Sequence, residues 1–94
     1  GPVNMFPQAG QSNNSAWRTM ENEWASWIDA GAEVRVDVQL SGYTGTRPSD
    51  VDVSYEVFNA QGEKVYSNFE MFENQAGQTF DRVSTTDIRA MLNQ

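Results

Sequence analysis

The chain of 94 residues reads as an α+β domain, with a long N-terminal helix and a short C-terminal helix packed on a three-stranded antiparallel sheet. Three observations predict this fold. First, an apolar stripe of helical period runs over residues 13–28 and holds all three tryptophans. Second, residues 33–40 and 51–57 alternate strictly between apolar and polar, and a weaker alternation follows over 63–72. Third, a cap residue and a short apolar period close the chain at 86–92. Short connections make an antiparallel sheet with its helices on one face the economical arrangement.

Each element has its own signals. Val3, Met5 and Phe6 open a short extended segment that Pro7 ends, and 9–12 is loop. In the main helix, Trp17, Met20, Trp24, Trp27 and Ile28 fall at i, i+3, i+7, i+10 and i+11. Arg18, Asn22, Glu23, Ser26 and Asp29 form the opposite, polar face. Asn13, Asn14 and Ser15 are N-cap types, and Gly31 stands where a C′ residue belongs. Glu21 breaks the pattern, lying four residues after Trp17 and three before Trp24, along the apolar seam. It is either an edge residue reaching solvent or part of a site, because a carboxylate is rarely buried alone.

In the first strand Val34, Val36, Val38 and Leu40 share one face, and Glu33, Arg35, Asp37 and Gln39 the other. Gly42, Gly45 and Pro48 mark 41–49 as a loop. Val51, Val53, Tyr55 and Val57 then face the core, opposite Asp52, Ser54 and Glu56. Asn59-Ala60-Gln61-Gly62 is a hairpin turn. In the third strand Val65, Phe69 and Met71 have one parity, Tyr66 and Phe72 the other, so both faces are expected to meet something. Residues 74–78 turn at Gly77, and Ser84 or Thr85 caps the last helix, with Asp87 in its first turn.

Composition narrows the function. The net charge is −7, which disfavours a grip on nucleic acid by this chain alone, since Lys and Arg on phosphates dominate such affinity. It suits a metal site or a basic partner. There is no Cys and no His, which removes thiolate ligands and the commonest general base. No apolar run is long enough to span a membrane. Gly1-Pro2 reads as the remnant of a cleaved purification tag, leaving 3–94 as a single domain, expected to be a fragment of a larger one.

Asn4-Met5-Phe6-Pro7-Gln8, then Asn13-Asn14-Ser15-Ala16-Trp17, then Met20-Glu21 and Trp24, resemble the metal-binding half of the DNA/RNA non-specific endonucleases, nucleases of the ββα-metal type. Further on, Tyr43-Thr44-Gly45, Arg47-Pro48, Val51-Asp52-Val53 and Phe72-Glu73-Asn74 resemble a bacterial secreted-toxin branch, the type VII secretion EssD-like domains. The resemblance implies a partial ββα-metal fold and hydrolysis of phosphodiester bonds in DNA and RNA. It implies one Mg²⁺, held through Asn13, with waters filling the other positions. Glu21 matches the acidic residue that orients those waters, and Asn4 and Gln8 match residues that brace the site. It further implies nucleic acid as substrate, an immunity protein as partner, and secretion of the parent protein by a bacterium.

Two features depart from the pattern. Ser15 stands where the family has Gly, and the Asp-Arg-Gly-His segment that carries its base is absent. The chain therefore looks like the C-terminal half of such a nuclease, with the N-terminal half missing. The alternative is a catalytically dead module of the same fold that binds a basic or immunity-type protein. Without the resemblance, Asn4, Gln8 and Asn13 read as loop amides and a cap.

Overall fold

The computed structural model describes residues 15–44, 47–73 and 78–94, excepting the side chains of 41–44 and 47–49. The order is α1 (Ser15–Asp29), β1 (Glu33–Thr44), β2 (Arg47–Phe58), β3 (Lys64–Glu73) and α2 (Thr85–Met91). The three strands form one antiparallel sheet in the order β1-β2-β3. The α+β architecture expected from the sequence is the one found. No helix among the described residues is long and apolar enough to cross a membrane.

α1 ends as its sequence requires. Gly31 takes a positive φ of 97°. Its N–H donates to the Ile28 carbonyl, and that of Ala32 to the Trp27 carbonyl, both at 3.0 Å. These two bonds are a Schellman cap, in which glycine at C′ avoids the Cβ penalty of a left-handed backbone. The hairpin between β2 and β3 uses Asn59 in the same spirit. Its Oδ1 accepts from the backbone N–H groups of Gln61 and Glu63, both at 2.9 Å, and Gly62 has a φ of 82°. At α2, Ser84 Oγ accepts from Asp87 N at 3.1 Å, so the cap is Ser84.

The inner face of the sheet is the core face. Val36, Tyr55 and Asn68 stand side by side across it, as do Leu40, Val51 and Phe72. α1 lies on this face. Trp17 meets Phe72 edge-on at 5.2 Å, Trp24 meets Tyr55 at 5.5 Å, and Trp27 stacks on Tyr66 at 5.5 Å. Such pairs add to the area that the rings bury. Phe80 stacks on Phe72 and Ile88 of α2 closes the cluster.

Three expectations need correction. The segment 41–49 is not a long loop, because β1 continues to Thr44 and β2 begins at Arg47, with Thr44 opposite Arg47 and Tyr43 opposite Pro48. Gly42 and Pro48 fit there because a two-stranded ribbon tolerates them where a central strand would not. Next, β3 does not bury both parities. Phe72 is buried on the inner face, whereas Phe69 and Met71 are 56% and 52% exposed on the outer one. The register against β2 sets this, with Met71 beside Asp52 and Phe72 beside Val51. Finally, Ile28 is 50% exposed and Glu23 is fully buried, which reverses their expected places.

Glu70 illustrates how the inner face tolerates charge. It sits opposite Val53, and burial, with the nearby Asp81 charge, raises its pKa. A carboxyl with a folded pKa above its unfolded one costs stability at neutral pH, a cost absent below the unfolded value. Glu70→Gln is expected to melt higher than the parent at neutral pH. Thermal melts at descending pH should show that advantage shrinking through the carboxylate range.

Candidate functional site

The apolar stripe of α1 is rotated from the one drawn through its tryptophans. The buried residues are Ala16, Trp17, Met20, Glu23, Trp24 and Trp27. At about 100° per residue, this set is centred roughly 35° away from the sequence stripe. The rotation moves Ile28 and Glu21 to one flank of the helix and draws Glu23 under the other. Glu21 is accordingly half-buried. Among the described residues no hydrogen bond or ion pair engages its carboxylate. It is a carboxylate two turns into α1, with part of its surface accessible.

The Glu23 flank is closed. Glu23 Oε2 accepts from Trp27 Nε1 at 3.0 Å and from the Tyr55 hydroxyl at 2.6 Å. Its Oε1 accepts from the Val83 backbone N–H at 2.9 Å. Asn68 Nδ2 donates to the Tyr55 oxygen at 3.3 Å. Beside them Arg82 donates to Ser26 Oγ at 2.9 Å and to the Val83 carbonyl at 3.0 Å. Three donors replace the water that the carboxylate gave up, the condition for burying it. Burial, and then its bond to Glu23, pushes the Tyr55 phenol well above its ordinary range. The Tyr66 phenol is raised by burial and by the Glu23 charge. Both phenols are therefore held protonated, and Tyr55 stays a donor. This network joins α1, β2, β3 and the segment before α2. Glu23 is fully buried and touches no open surface, so its role is to hold the frame.

Sequence reasoning placed Glu23 on the solvent face and missed this network. A signal was present: buried Trp and Tyr side chains usually find partners for their polar tips, and Glu23 and Trp27 are four apart on one helix.

Of the four site residues, the structure places only Glu21. Asn4, Gln8 and Asn13 lie outside the described residues. Among the described residues no three of His, Cys, Asp or Glu are grouped to hold a metal.

A family model described as DNA/RNA non-specific endonuclease matches residues 2–59, more than half of the chain. The chain belongs to this family. The matched region contains α1, β1 and β2, and with them all four residues that the sequence singles out. No curated protein and no solved structure matches the chain. For a member of this endonuclease family, the open Glu21 flank of α1 is the candidate site, and the buried Glu23 flank is its support.

Proposed function

We propose that this chain is the metal-site half of a Mg²⁺-dependent nuclease that hydrolyses phosphodiester bonds in DNA and RNA. The reading is carried by one observation: the family match spans Asn4, Gln8, Asn13 and Glu21, and Glu21 stands half-buried with no partner among the described residues. Asn13 would hold the ion. Glu21 would orient water bound to it, and Asn4 and Gln8 would brace the site. The ion would supply charge stabilisation at the scissile phosphate and the leaving oxygen. Glu21, half-exposed on α1, can accept hydrogen bonds from water while the helix fixes its direction.

The general base is not in this chain, which has no His. It would come from the family's Asp-Arg-Gly-His segment. The segments resembling the secreted-toxin branch support a bacterial effector as the parent, with an immunity protein as its natural inhibitor.

Incubation of this chain with plasmid DNA and Mg²⁺ is expected to give almost no nicking, since a positioned base contributes about 10²–10⁴-fold. Joined to an Asp-Arg-Gly-His segment, the protein should cleave, and Asn13→Ala should abolish that cleavage. Glu21→Gln should reduce activity or metal affinity by about 10–100-fold. Robust nicking by the chain alone, retained in Asn13→Ala, would refute the assignment.

A further inference from the structure

The outer face of the sheet, opposite α1, has a use that the nuclease reading does not absorb and on which this inference does not depend. Phe69 and Met71 are more than half exposed there, side by side along β3. Beside them a shallow depression of about 650 Å³ is lined by residues including Asp37, Ser54, Ser67 and Phe69. Adjacent apolar groups exposed together and rimmed by charged residues are a feature of contact surfaces.

The charge on this face is one-sided. At one end the cations are already paired: Arg35 with Glu33 at 2.7 Å and Lys64 with Glu56 at 3.1 Å. Arg35 also caps the Phe58 ring at 4.4 Å. Toward the other end stand Asp37, Asp50 and Asp52, on the strand positions that flank Phe69 and Met71. No cation among the described residues pairs with them. The Asp52 Oδ1 atom is buried with no hydrogen-bond partner. A desolvated acceptor left without a donor is costly, and a cationic group beside the accessible part of this carboxylate would offset that cost electrostatically.

These charges decide among occupants. Nucleic acid and anionic lipid would be repelled. A second copy would bring the same carboxylates against this face. We propose that the outer face docks a cationic, amphipathic segment of another protein. Its apolar side chains cover Phe69 and Met71, and its Lys or Arg groups meet Asp37, Asp50 and Asp52. Since α1 lies across the sheet, such a partner leaves the Glu21 flank open.

Three synthetic peptides of equal length test this by NMR titration of the isotope-labelled chain: alternating Lys-Leu, alternating Lys-Ser and alternating Glu-Leu. The Lys-Leu peptide is expected to shift the amides of Asp37, Ser54, Phe69 and Met71 and to spare those of α1. It should bind at least about tenfold more tightly than either of the others, a difference of 1.4 kcal/mol. Phe69→Ser with Met71→Ser should lose that margin without lowering the melting temperature, because both side chains are exposed. Equal binding of Lys-Ser would reduce the face to bulk charge and overturn the proposal. So would shifts spread over α1 and α2, unchanged binding in the double variant, or self-association of the chain through this face.

Discussion

Glu23→Ala is expected to lower the unfolding free energy by roughly 3–5 kcal/mol, because it strips the acceptor from up to three buried donors at about 1–3 kcal/mol each. Among the described residues the Trp27 and Val83 N–H groups have no other acceptor, and the Tyr55 oxygen still accepts from Asn68 while its own O–H loses the acceptor. A domain of this size has about 5–15 kcal/mol in total, so the variant should lose a large share of its margin and unfold at a clearly lower urea concentration. Glu23→Gln should cost less, since one oxygen survives, but its amide must face at least one donor. The contrast is Glu21→Ala on the other flank, expected within about 0.5 kcal/mol of the parent. Urea denaturation followed by tryptophan fluorescence gives all three values. Equal midpoints for Glu23→Ala and Glu21→Ala would show that the network does not hold the frame.

Trp27→Ala should be comparably severe, at about 3–5 kcal/mol. The ring is fully buried, stacks on Tyr66 and donates to Glu23. Two phenylalanine variants separate ring from hydrogen bond. Trp27→Phe keeps much of the packing but takes a donor from Glu23, costing about 1–3 kcal/mol beyond the lost volume. Trp24→Phe loses no hydrogen bond, because Trp24 Nε1 is buried without a partner; it should cost less than Trp27→Phe. The same denaturation curves decide, and the reverse order would contradict the network. The Glu23 and Trp27 effects should not add, since the two residues share one bond.

Much of this frame was legible in the sequence because it rests on local periods. The valines of 34–38 and 51–57 declare both strand identity and face. Gly31 and Ser84 declare the two helix boundaries, and Asn59 to Gly62 the hairpin. What was not legible depends on contacts between elements. A helical wheel ranks residues by hydropathy, so it put Ile28 inside and Glu23 outside. The structure inverts them because Tyr55 and Val83, distant in sequence, bring donors to Glu23. The split of β3 into a buried Phe72 and an exposed Met71 likewise follows from register against β2, which hydropathy along one strand does not encode. The extension of β1 and β2 past Gly42 and Pro48 was hidden by residues that read as breakers in isolation. The proposed site rests on motif order, not on physics: alone, Asn4, Gln8 and Asn13 read as ordinary loop amides. Only Glu21, awkward on its seam, announced itself by an energetic misfit, and among the described residues it has no polar partner.

The most direct test of the metal-site assignment needs no catalysis. Mg²⁺ is titrated into the isotope-labelled chain while side-chain amide and backbone signals are followed. The assignment predicts a saturable shift of the Asn13 side-chain amide and of the amides around Glu21, absent in Asn13→Ala and weakened in Glu21→Gln. Saturation that persists unchanged in Asn13→Ala, or no saturable shift at either residue, would contradict it.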